Sequence, residues 1–357
     1  MSTPVKEMPP TLEPQEVAQG SRRALLLSLL WPAALLLLAG ILSQIELPEE
    51  VRGALAGNIR PGYLVAAVLA STLSLPALGM RWRALLPDTV ERGLTPSVMT
   101  AMVAVAQLLG STVPGPVGEL AAAGLLKRRS GLSLQEILAA TVHARALGLL
   151  VSALLALSIQ LLAPPDVPPA WRVPLSVGVA IATLGSGALF GLVLASDWLQ
   201  ARPEPAFVAS LAARPGRIGP LLARGIRLGR SFVQACAGIG RGGAAAHLQA
   251  ALWAAWAVGL AAAATMGILS GLRVPYSMAG VFFAQGAITV VALAFILLPG
   301  LAAGWDAAYV ALLVAAGGVP LVPAIAATGL LRVYQTGLMA LGAPALAWLL
   351  NGADDQA

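Results

Sequence analysis

The chain has 357 residues, 58% of them hydrophobic and only 11% charged, with a formal net charge of +6. A soluble domain carries roughly 25% charged residues, so this much apolar surface has to face lipid and leaves no room for a soluble catalytic domain. The basic excess is mostly arginine in short loops beside apolar runs, which fits anionic headgroups and argues against a nucleic-acid partner.

In chain order, Met1–Gly20 reads as a polar, disordered tail, and Arg22-Arg23 precedes an apolar run from Ala24 to Leu42. The run is long enough to span, and no small-x-small cleavage pattern follows it, so it reads as a retained anchor with a cytoplasmic N-terminus. A second run, Tyr63–Met80, ends at Arg81-Trp82-Arg83, a basic and aromatic interface anchor. Ser97–Leu126 is interrupted at Pro114, Gly115, Pro116 and Gly118, with Glu119 just beyond and Lys127-Arg128-Arg129 closing the segment. Prolines and glycines this dense break a helix, and basic flanks on both sides predict a hairpin that enters and leaves from the cytoplasm.

Spans follow at Leu134–Ala163 and Val173–Ala195, joined by the Pro-rich turn Pro164–Pro169. The basic loop 196–246 is the clearest cytoplasmic segment, and within it Arg217–Val233 reads either as an interfacial helix or as an ordinary linker. After a span at His247–Leu269, Val281–Ala316 is broken at Pro299, Gly300 and Gly304, with Asp306 beyond. A last run, Leu321–Leu350, ends in a short acidic tail.

The two broken segments match. Gly131, Leu134, Ala139, Ala140, Thr141 and Arg145 fall on Gly318, Leu321, Ala326, Ala327, Thr328 and Arg332 at one offset, which also carries Glu119 onto Asp306. Alanine and leucine matches are cheap in this composition, but two acid–arginine pairs after two Pro-Gly breaks are not. An odd number of crossings between the breaks inverts the repeat, the arrangement of transporters with a site near midplane. The predicted fold is an all-α polytopic membrane helix bundle with two Pro-Gly-broken re-entrant hairpins. It forms a single transmembrane domain over 21–352, with repeat halves at about 95–163 and 275–352.

Arg145 and Arg332 lie about eleven residues, or about 16 Å, into their helices, where a charge faces the bundle interior or water. Two readings stand together: both bind an anion such as a lipid phosphate, or each forms an ion pair, Arg145 with Glu119 and Arg332 with Asp306. Glu119 and Asp306 read either as proton-coupling carboxylates or as acids favoured at helix N-termini. His143 reads as a hydrogen-bonded bundle residue or as a proton relay. One cysteine, Cys236, and two histidines predict neither an intramolecular disulfide nor a metal site, and no cofactor is expected.

Arg81-Trp82-Arg83, then Val113-Pro114-Gly115-Pro116-Val117-Gly118-Glu119, and Leu125 through Gly131 to Arg145 together resemble the lysylphosphatidylglycerol synthase transmembrane family. Pro299-Gly300, Asp306, Gly318 and Arg332 follow the outline of that family's second half, with Trp305-Asp306 where Arg-Glu is usual and Ala144-Arg145 where Glu-Arg is usual. The first departure weakens the carry-over of an acid–arginine pair into the second half. The resemblance implies a flippase-like membrane protein, expected in the cytoplasmic membrane; both termini are expected inside. It would handle anionic, polyprenyl-linked or hopanoid-type lipids and carry no lysyl transfer. The rival expectations are a membrane-embedded enzyme, or a non-catalytic partner of a lipid-biosynthesis enzyme.

Overall fold

The computed structural model describes residues 59–195, 243–296 and 302–351, apart from positions 88, 90, 113–116 and 166. The N-terminal tail and first apolar run, most of the basic loop with its Arg217–Val233 stretch, the acidic tail, and the break residues Pro114, Gly115, Pro299 and Gly300 lie outside the described residues.

Ten helices and no strand occur among the described residues. The first five are α1 (Pro61–Arg83), α2 (Pro96–Thr112), α3 (Val117–Ser130), α4 (Leu134–Leu162) and α5 (Pro169–Leu194). The second five are α6 (Gly243–Gly271), α7 (Met278–Ile296), α8 (Ala302–Ala315), α9 (Leu321–Ala340) and α10 (Gly342–Asn351). Helices α1, α4, α6 and the α9–α10 run are long and apolar enough to cross a membrane, so the chain is a multi-pass membrane protein. Both broken segments are paired helices, α2 with α3 and α7 with α8. The final run, expected as one span, is interrupted at Leu341. Pro344 there lacks the N–H that would bond back to Ala340, and Gly342 lets α10 close on α2, a Cβ there lying 2.6 Å from the Ala104 carbonyl.

Local signals set the helix ends. Ser133 and Glu136 form a capping box at the start of α4: Ser133 Oγ accepts from the Glu136 N–H at 3.2 Å, and the Ser133 N–H donates to the Glu136 carboxylate at 2.9 Å. Ser133→Ala is expected to cost about 1 kcal/mol, read as a lowered thermal midpoint in detergent. Gly131 and Gly318, matched in the repeat, both adopt left-handed backbone, with φ of 66° and 65°. The matched threonines also agree: Thr141 Oγ1 donates to the Ile137 carbonyl and Thr328 Oγ1 to the Ala324 carbonyl, each at 2.8 Å.

Packing extends the pairing beyond the matched residues. Under exchange of α1–α5 with α6–α10, each extensive helix–helix contact has a counterpart. Thus α4 packs on α7 as α9 packs on α2, and α10 reaches α2 as α5 reaches α7. The self-paired contact is α1 against α6, where small residues let the backbones approach: a Cβ on Gly267 would lie 3.0 Å from the Tyr63 carbonyl. Two hydrophobic cores result. One joins α1–α4 with Ala250 and Leu349, and the other joins α6–α9 with Ala67, Ala156 and Val179.

Candidate functional site

The charged residues expected inside the membrane are brought together in two pairs. In the first half Arg145, on α4, donates through Nε to Glu119 Oε1 at 2.5 Å and also binds that oxygen through Nη2. Glu119 lies in the first turn of α3, where the helix dipole favours a carboxylate. In the second half Arg332, on α9, donates through Nε to Asp306 Oδ1 at 2.6 Å. The two pairs have the same 26-residue separation. Asp306 falls past the first turn of α8, so the helix-terminus explanation does not extend to it. The break glycines Gly118 and Gly304 sit inside helices α3 and α8.

None of the four side chains is sealed in a core. Arg145 is 45% exposed and Glu119 27%, while Arg332 and Asp306 are 37% and 36% exposed, so guanidinium N–H groups remain reachable from outside the bundle. No hydrogen bond or ion pair joins one pair to the other among the described residues. Helices α1 and α6 each contact both α4 and α9, so the central seam stands between the arginine helices. Shallow cavities of about 390 and 340 Å³, beside Gln160 and Phe283 and beside Arg60 and Tyr276, are lined by no member of either pair.

The surroundings of the two arginines differ. Arg332 Nη1 donates to Gln335 Oε1 at 3.1 Å, and its guanidinium lies 4.4 Å from the centre of the Trp305 ring. Trp305 stacks on Tyr309 with ring centres 5.2 Å apart. The Trp305-Asp306 departure therefore keeps the acid–arginine pair and adds an aromatic face to it. Gln335 and this stacking role escape sequence reading because glutamine and tryptophan in an apolar helix carry no unique signal.

Arg81 and Trp82 depart from their expected role as interface anchors. Trp82 is buried in the first core. Arg83 Nε donates to the Leu94 carbonyl at 2.7 Å and ties down the α1–α2 connection. Arg81 turns inward, its guanidinium seated on Gly148 of α4 with Cζ 3.3 Å from where a Cβ would stand. It lies within electrostatic reach of both Arg145 and Glu119. Its Nε is buried without a hydrogen-bond partner among the described residues.

His143 is fully buried, but among the described residues neither ring nitrogen has a hydrogen-bond partner, which corrects the reading of it as a hydrogen-bonded residue. It packs instead on His247 and Phe190, with ring centres 4.9 and 5.2 Å away. His247 anchors its own helix through Nδ1 and the Gly243 carbonyl at 2.8 Å. Another polar cluster, invisible in the sequence, crosses the second core: the Tyr309 hydroxyl sits 2.8 Å from Thr265 Oγ1 and donates to Gln285 Oε1 at 3.0 Å. Tyr309→Phe is expected to cost about 1–3 kcal/mol by stranding these groups, read as a lower thermal midpoint with helix content unchanged. Among the described residues no cluster of three or more His, Cys, Asp or Glu side chains is placed to hold a metal.

No curated protein and no solved structure matches the chain. The model of the family described as the lysylphosphatidylglycerol synthase TM region matches residues 24–342. That match takes in both hairpins, both ion pairs and the α1–α6 seam, and the chain is therefore a member of the lysylphosphatidylglycerol synthase transmembrane family, a lipid-related membrane protein.

Proposed function

We propose that the protein is a flippase-like translocator that carries an anionic lipid, with polyprenyl-linked or hopanoid-type lipids as the alternative cargo, between leaflets of the cytoplasmic membrane. The observation that carries this reading is the pairwise exchange of helix contacts between α1–α5 and α6–α10, with one ion-paired arginine at the same place in each half. Such an exchange supports an inverted repeat whose halves rock against each other about the α1–α6 seam, alternately opening to the two faces. Arg145 and Arg332 hold the headgroup in turn, each oriented by its acid, while the acyl chains stay in lipid. Guanidinium suits the task because it stays charged and its planar fork matches phosphate oxygens. The N-terminus and the loop 196–246 are assigned to the cytoplasm by their basic residues, and the alternation of spans from there brings the C-terminus to the same side.

Reconstitution tests this. Purified protein in vesicles is expected to accelerate the transbilayer movement of head-labelled phosphatidylglycerol, followed by quenching from outside, over protein-free vesicles. Arg145→Ala and Arg332→Ala are each expected to slow it. No movement of anionic, polyprenyl-linked or hopanoid-type lipid in any vesicle would sink the translocator reading. Copurification of a lipid-synthesis enzyme, with full function after Arg145→Ala, would replace it with a partner-subunit role.

A further inference from the structure

The two halves share a fold but not a charge. At the position one helical turn beyond the arginine, the second half has Gln335, whose amide oxygen accepts from Arg332. The first half has Gly148 at the matching position, and the space left by its missing side chain is taken by the Arg81 guanidinium. Helix α6, the counterpart of α1, contains neither lysine nor arginine. The second half therefore balances one arginine against one carboxylate, with an amide and an aromatic ring closing around the cation. In the first half Arg81 and Arg145 share the carboxylate of Glu119, the buried Arg81 Nε has no acceptor among the described residues, and Arg145 is exposed.

We infer that Arg81, held against Gly148, joins Arg145 in a phosphate-binding subsite confined to the first half of the molecule. The inference rests on the anionic-lipid reading above and narrows it to one station. Two guanidiniums sharing one carboxylate at membrane depth are costly and favour a further anion. A phosphate offers several acceptor oxygens, enough for the unused N–H groups of Arg81 and for Arg145 together, without displacing Glu119. A carboxylate ligand would offer fewer. The phosphate can belong to a lipid headgroup or be free in solution. Arg332, already bonded to Asp306 and Gln335 and covered by Trp305, is the weaker holder.

Binding of tail-labelled phosphatidylglycerol to the full-length protein in detergent, with labelled phosphatidylcholine as control and inorganic phosphate as competitor, tests the assignment. Arg81→Gln removes the second cation. Gly148→Gln keeps every charge but fills the seat and reproduces the second half's arrangement. Each is expected to weaken phosphatidylglycerol binding about tenfold, the worth of a charge-assisted hydrogen bond, and Arg332→Gln by much less. Arg81→Lys is expected to recover part of the loss, which a purely structural role would not predict. Should Arg81→Gln fold poorly, Gly148→Gln decides alone. Displacement by inorganic phosphate at matching concentration would identify free phosphate as the ligand of the same subsite. Unchanged binding in both Arg81→Gln and Gly148→Gln, with loss in Arg145→Gln, would overturn the subsite and leave the translocator reading standing. Failure of the wild type to bind phosphatidylglycerol or phosphate would overturn the subsite together with the anionic-lipid form of that reading.

Discussion

Exchanging the charges of the first ion pair, Glu119→Arg together with Arg145→Glu, should restore thermal stability lost in either single variant without restoring the proposed lipid movement. In Glu119→Arg three guanidiniums meet, at positions 81, 119 and 145, with no carboxylate among them. In Arg145→Glu two carboxylates meet, and Arg81 remains to offset one of them. The first variant should thus be the less stable. Each loses charge-assisted bonds worth about 1–3 kcal/mol, toward the lower end because Arg145 is 45% exposed. The double variant rebuilds the α3–α4 bond in reverse, so its midpoint should return close to that of the wild type. Its guanidinium now stands on α3, at the more covered of the two positions, while the open position on α4 carries an acid. Anionic lipid should therefore remain excluded. Recovery of both properties would show that the lipid reads the local charge total and not the position of Arg145.

Alanine at Gly118 or Gly280 should destabilise the protein, while alanine at Gly178 or Gly259 should not. A Cβ on Gly118 would stand 2.7 Å from Gly110 Cα and against the Ala106 carbonyl, and one on Gly280 would stand 2.7 Å from Gly317 Cα and against the Ala316 carbonyl. The obstacles are backbone, so the hairpin helices have to separate. Overpacking of this kind costs about 1–3 kcal/mol. Gly118 clasps α2 and α3 near the tip of their hairpin, and Gly280 clasps α7 and α8 near the open end, where the Ser277 N–H also donates to the Gly317 carbonyl at 2.8 Å. Gly178 and Gly259 have no heavy atom within 4 Å of the added carbon. There the better helix propensity of alanine should leave the midpoint unchanged or raise it, by up to about 1 kcal/mol. Thermal scans of the four variants in one detergent would show the opposite signs.

Much of this architecture was legible in the sequence because lipid makes simple demands. Long apolar runs became helices, Ser133 and Glu136 marked the start of one, and Gly131 and Gly318 marked matching turns. Rare charges made the repeat visible and placed Arg145 and Arg332 beside their acids. The involvement of α1 and α6 was not legible. Their pairing rests on alanine and glycine spacing, which an alanine-rich chain offers everywhere. Arg81 was hidden for another reason: two residues from Arg83 at a helix end, it carries the same local signature, and only the gap at Gly148 on a distant helix turns it inward.

The interlocked packing sets an order of assembly. Each half donates helices to the other, with α4 lying against α7 and α2 receiving both α9 and α10. A ribosome delivers α2 and α4 to the bilayer well before those partners exist. Until synthesis reaches α7 and then α10, the first half must wait with the flank of Ser152 and the carbonyl of Ala104 uncovered, the surfaces on which Gly286 and Gly342 later close. The first half released alone should thus be a substrate for membrane quality control, and supplying the second half as a separate chain should rescue it.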